Sequence, residues 1–250
     1  MSGFGIVAWV AVVYESCILG LFTMLIRAIV KRYLEKKNTT TRLLMAIFIL
    51  YGLGIMFSLI TVIINAVWGG IPYTILPESE IWLVGRLHDG RFGFVVIILA
   101  SVLSYELKVK IIDDGKYNKV YRILLYAFSA LNVVFQVGFY GFNTVTGKSV
   151  TLFQVLSVLL MVIQTCLVYF KITINFFALS RRVERQYKNP IRYLGVVHLG
   201  FILVFLFFAL DGLMLILYAW AYSTFYWFIW MCAVVSIIAC YYGYIKPSNT

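Results

Sequence analysis

The chain has 250 residues, 63% of them hydrophobic and only 12% charged, with a mean hydropathy of +0.95, whereas a soluble domain is roughly 45–50% apolar and 25% charged. A soluble fold is therefore excluded, and apolar runs of about twenty residues or more without period-two alternation exclude a closed β-barrel and leave membrane-spanning helices. The formal net charge of +11 would suggest nucleic acid on a soluble protein, but here the basic residues gather at one set of turns, which makes them a topology signal instead.

The first apolar run, 4–30, lacks the charged start and short apolar core of a secretory signal and is expected to be a retained helix with its N-terminus outside. It carries Glu15, about 18 Å along a helix from Arg27 and so close to mid-membrane, where an acid needs a partner or a proton. The basic cluster Arg27, Lys31, Arg32, Lys36, Lys37 and Arg42 follows. The second span, 43–67, offers Gly52, Gly54 and Ser58 as close-packing positions. The outer connection 68–83 is bounded by tryptophans, as expected of a loop held at the headgroup level. Glu78, Glu80, His88 and Asp89 do not have the spacing of a metal site.

The third span, 84–107, is the informative one. Its uncharged core, from Arg91 to Glu106, rises only about 21 Å against roughly 30 Å of hydrocarbon, so charge must enter the membrane. On a helical wheel Arg86, Asp89, Gly93, Ala100 and Ser104 share a small, polar side, and Arg91, Val95, Ile98 and Val102 share a bulky one. Helix contacts in lipid favour small and polar residues, so Arg86 and Asp89 are expected to face inward and the large aliphatics lipid or an apolar neighbour. A second basic turn, 107–122, has its corner at Asp113, Asp114 and Gly115.

The fourth span, 123–142, carries Asn132 and Gln136. The fifth, 150–180, is longer than a bilayer requires and carries Gln154, Gln164 and the intramembrane lysine Lys171, whose stem suits snorkelling toward the cytoplasmic interface. A third basic turn ends at Pro190. The sixth span, 193–217, carries His198, expected to be a packing group, and Asp211 about 25 Å above Leu194. The seventh, 223–245, has no charge. Seventeen of the 21 Lys and Arg fall on the side of the three basic turns and the tail, which is therefore taken as cytoplasmic, with attraction to anionic lipid headgroups and no role for nucleic acid. Cys17, Cys166, Cys232 and Cys240 all lie within spans and form neither a disulfide framework nor a metal spacing.

The expected architecture is one all-α, seven-helix transmembrane domain over 1–250, N-terminus outside and C-terminus cytoplasmic, in the cytoplasmic membrane. Heights counted from the cytoplasmic ends place Glu15, Arg86, Asp89, Arg91, Gln136, Gln164 and Asp211 in the outer half. They are expected to line a polar cavity opening outward, with Arg86 or Arg91 paired to Asp211 or Glu15. No nucleophile with a base and no metal set is legible, so an enzyme is not expected and no cofactor is implied. Microbial retinal chemistry requires a lysine in the seventh span, and metal-dependent seven-helix hydrolases of the ceramidase type require three histidines where this chain has 2. The Ser104-Tyr105-Glu106 triplet and the stretch from Cys240 to Tyr244 do not match receptors coupled to G proteins. Sugar exporters of the triple-helix repeat type have prolines inside their spans, which are absent from the spans assigned here.

Seven spans with the N-terminus outside, the last ending in YYGYIKP at Tyr241 to Pro247, resemble the seven-helix sensor region at the front of some prokaryotic membrane histidine kinases and of stand-alone seven-helix proteins. The resemblance implies a receptor or sensor. With nothing after Thr250 to transfer phosphate, it also implies output through a partner at the basic turns or through a homo-oligomer. The alternatives are a transporter of a small solute, ion or lipid with carboxylate-linked protonation, and a structural membrane protein whose ion pairs only fix helix packing.

Overall fold

A computed structural model of the chain describes residues 3–68, 91–113, 115–138, 148–218 and 222–246. Among them are seven helices long and apolar enough to cross a membrane, and no strand. They are α1 (Gly3–Lys36), α2 (Thr39–Trp68), α3 (Arg91–Ile111), α4 (Lys119–Gly138), α5 (Lys148–Ser180), α6 (Arg185–Tyr218) and α7 (Thr224–Cys240), the last continued by a π-helical turn, Tyr241–Ile245.

Most helices run further than the apolar runs do at the ends that meet the basic turns. Lys, Arg and Glu are good helix formers, and nothing obliges a helix to stop where hydrocarbon stops. Each turn supplies its own stop signal. Lys37 adopts a left-handed conformation (φ 46°), and Asn38 then caps α2 by accepting the Thr41 backbone N–H at 2.7 Å. Asn118 caps α4 in the same way through Tyr121 N–H at 3.2 Å. Gly115 takes φ 78° at the corner between them, as the Asp-Asp-Gly sequence requires. Pro190, expected to close the third basic turn, instead lies inside α6 near its start, because the helix begins at Arg185 rather than Tyr193. Residues 84–90 and 139–142 of the expected spans lie outside the described residues.

The helices form a closed ring in chain order, with α1 against α7, and α3 reaches across to α5. This places α3 at the centre, and over half of its membrane-spanning window is buried, the largest share of any helix. Both sides of its wheel are covered. Gly93, Ala100 and Ser104 on the small side are buried, but so is Ile98, which meets Phe94, Met161 and Phe205. The bulky side therefore faces an apolar neighbour here rather than lipid. At the periphery, α4 is inverted relative to a soluble helix. Leu125, Ser129, Asn132 and Gln136 face inward, and Ile123, Leu124, Leu131 and Val134 face out.

Small residues set the close approaches. A Cβ on Gly52 would lie 2.9 Å from Ile26 on α1, and one on Gly54 would lie 3.1 Å from Ile97 on α3. Gly200 packs against Ser236 and the Cys232 carbonyl, leaving no room for a side chain between α6 and α7. Gly200→Ile should therefore cost about 1–3 kcal/mol through overpacking, read as a lower melting temperature in mild detergent. Gly20→Ala is the control: its Cβ meets nothing within 4 Å, and it should be neutral or gain up to about 1 kcal/mol from helix propensity.

Candidate functional site

Polar side chains buried inside a bundle of apolar helices must find partners there, so the hydrogen bonds indicate where each described site residue has gone. Arg91, at the outer end of α3, is only 3% exposed, and its Nη1 donates to Gln136 Oε1 at 3.4 Å. Ser157 Oγ donates to the same oxygen at 2.7 Å, while Gln136 Nε2 donates to Asn132 Oδ1 at 3.1 Å and the Ser157 carbonyl at 3.2 Å. Arg91 and Gln136 are thus joined across α3, α4 and α5. Arg86 and Asp89, expected beside them, lie outside the described residues, as do His88, Glu78 and Glu80.

Gln164 belongs to a separate layer, met ten residues further along α3 at Ser101. Its Nε2 donates to Ser101 Oγ at 2.9 Å and Ser129 Oγ at 2.8 Å, and its buried Oε1 has no partner among the described residues. Below it Tyr169 hydrogen-bonds to Tyr51 and donates to Ser104 Oγ at 3.2 Å. Of these residues only Ser104, on the small side of the third span, was singled out in the sequence; Ser101, Ser129, Tyr51 and Tyr169 were not. The spacing of Ser129, Asn132 and Gln136 along one helical face was the available signal.

Glu15 is fully buried on the opposite side of the bundle. Tyr226 O–H donates to its Oε1 at 2.7 Å and Ser58 O–H at 3.2 Å, while Oε2 has no partner among the described residues. Asp211 is engaged from the start of α7. Its Oδ1 accepts from Ser223 N–H at 3.0 Å and Ser223 O–H at 2.6 Å, while Ser223 Oγ caps α7 through Phe225 N–H at 3.2 Å. These donors sit twelve residues on, at the start of the next helix, and Arg86, one of the two arginines expected to pair with Asp211 or Glu15, lies outside the described residues. Lys171 is exposed on the outside of the bundle, its Nζ 5.7 Å from the Tyr121 ring. His198 is buried between Phe176 and Tyr169, with Nδ1 at 2.7 Å from the Leu194 carbonyl.

Between the wall formed by α2 and α3 and the wall formed by α6 and α7 lies a cavity of about 610 Å³. These walls are bridged by side chains, Tyr51 stacking on Phe201 at 4.3 Å and Phe94 meeting Phe208 edge-on at 5.3 Å. The lining is mainly apolar. Arg91 and Ser157 enter it from one side, and Ser58 and Tyr226, the two donors to Glu15, from another. No group of three or more His, Cys, Asp or Glu suited to a metal occurs among the described residues. Compared with family models, curated proteins and solved structures, the chain matches none.

The buried Glu15 and the partly buried Asp211 thus make different demands on their neighbours. Asp211→Ala removes the acceptor that anchors the α7 cap and should cost about 1 kcal/mol. Asp211→Asn keeps the accepting oxygen and should recover most of it, both read by thermal unfolding in detergent.

Proposed function

We propose that the chain is an integral protein of the cytoplasmic membrane, N-terminus outside and C-terminus cytoplasmic, that acts as a receptor or sensor for a small ligand. The cavity carries this reading. Its size lies in the range of about 300–1,000 Å³ usual for small-molecule sites, and a mainly apolar wall with a few placed polar groups is the usual composition. The orientation rests on the concentration of Lys and Arg at the turns after α1, α3 and α5.

A ligand in this position would separate or tighten the two walls, which meet through aromatic rings rather than through packed backbones. Helices are stiff, so a change of spacing in the outer half is carried to the cytoplasmic ends. There Arg181, Arg185, Lys188 and Arg192 surround a concavity of about 530 Å³, suited to anionic headgroups or an acidic cytoplasmic partner. Carboxylate-linked transport is the second reading, favoured by the Oε2 of Glu15, which is buried with no partner among the described residues.

The two readings separate in vesicles. The purified protein should give no net flux of protons, cations or amphiphiles, and a spectroscopic probe at Val183→Cys should shift when an active ligand is added. Flux that Glu15→Gln abolishes, with no probe response, would replace the sensor by a transporter.

A further inference from the structure

We infer, resting on the reading of the cavity as a ligand site, that its occupant is a single-chain amphiphile of the outer leaflet, entering sideways between the outer halves of α5 and α6. The shape comes first. On α2 alone the lining runs from Phe48 to Asn65, about 25 Å along the helix, so a volume of about 610 Å³ describes a long slot rather than a rounded chamber. Its two ends differ in chemistry. Toward the cytoplasm the slot is walled by Phe22, Phe48, Phe201 and Ile237, with the hydroxyls of Tyr51 and Ser236 there already engaged by Tyr169 and the Cys232 carbonyl, and toward the outside it reaches Thr61, Asn65, Arg91 and Ser157. A molecule with an apolar tail pointing inward and an oxygen-bearing head at the outer end fits that gradient, in the orientation an outer-leaflet lipid already has.

The mouth is marked by residues that belong to two surfaces at once. Leu159 on α5 is 50% exposed and Leu206 on α6 is 44% exposed, yet both line the cavity. A side chain does both only where the wall between inside and outside is open. Nearby, a Cβ added to Gly212, another lining residue, meets nothing within 4 Å. Leucines on a lipid-facing surface offer water no path, so what passes between them comes from the bilayer. A tail moving from lipid to cavity exchanges one apolar surrounding for another, so selectivity rests on hydrogen bonds to the head at the polar end.

The test uses the full-length chain in phospholipid nanodiscs with trace palmitic acid carrying a mid-chain diazirine, irradiated and mapped by peptide mass. Adducts are expected on cavity-lining Phe205 and Ala233. Gly212→Leu, which grows into open space, should reduce them at least tenfold, and Leu206→Trp at the mouth should slow their appearance severalfold. Should Gly212→Leu misfold, Ala209→Trp fills the slot from another position. Adducts confined to outward-facing residues such as Leu99 and Ile163 would overturn the lipid occupant. Interior adducts at an unchanged rate in Leu206→Trp would overturn the lateral route. Ala209→Cys tells failure of the ligand class from failure of the site. If it reacts with a water-soluble maleimide while interior adducts are absent, the cavity is an aqueous ligand site and the lipid is wrong. If neither reagent reaches it, the ligand-site reading falls as well.

Discussion

The interaction on which the bundle depends is the set of side-chain hydrogen bonds that tie α3 to α4 and α5. Water is absent from a hydrocarbon core, so an amide or hydroxyl left facing lipid has no second choice of partner. Arg91 with Gln136 and Ser157, Ser101 with Gln164 and Ser129, and Ser104 with Tyr169 and Tyr51 form successive layers down the bundle. Each layer is satisfied in one rotational setting of its helices. Turning α4 by a single residue, or 100°, would swing Asn132 and Gln136 out of reach of α5 and bring aliphatic residues in against polar ones. The inverted amphipathicity of α4 is the sequence counterpart of that constraint.

The other contacts of the ring are set by shape. Gly52 toward α1, Gly54 toward α3 and Gly200 against Ser236 let backbones approach where a side chain would hold them apart. Between the α2/α3 wall and the α6/α7 wall neither device operates. Large rings meet there instead, Tyr51 on Phe201 and Phe94 on Phe208, and rings in stacked or edge-on contact keep helices further apart than glycine does. The cavity is the volume left where tightly packed neighbours are bridged by bulky side chains. Glu15 ties α1 to α2 and α7, two hydroxyls engaging one of its oxygens while the other has no partner among the described residues.

What could be read in the chain follows from which coordinate each signal measures. Long uncharged runs measure length, so seven helices were legible, while their ends were not, because basic residues continue a helix beyond the hydrocarbon. Counting 1.5 Å per residue measures height. That gave heights for Glu15 and Asp211 but no direction around the helix, so Asp211 was matched with arginines although Ser223, its donor, stood twelve residues on at the start of the next helix. The wheel of α3 separated its small side from its bulky side, yet could not tell that the bulky side meets α5 and α6, since burial on every side depends on a helix being central. Tyr51, Tyr169 and Tyr226 stood in apolar runs like any aromatic residue, and only the positions of Ser104 and Glu15 make their hydroxyls matter. A cavity is a difference between packed volumes and has no sequence signature of its own.

The terminal YYGYI stretch, the one motif behind the resemblance to sensor regions, has a structural explanation that bears on how the bundle could signal. Its π-helical turn leaves carbonyls without helical partners, and Arg32 of α1 takes those of Tyr244 and, at 3.1 Å, Ile245. Gly243 lets the turn close on α6, where a Cβ would lie 3.2 Å from the Pro190 carbonyl. The Tyr244 ring meets Phe48 edge-on at 6.4 Å, and Phe48 lines the inner end of the cavity. One aromatic contact and one charged hydrogen bond therefore connect the bottom of the slot with the basic end of α1. Phe48 and the basic end of α1 are thus joined through packed atoms, the physical continuity that coupling between distant sites is usually taken to require.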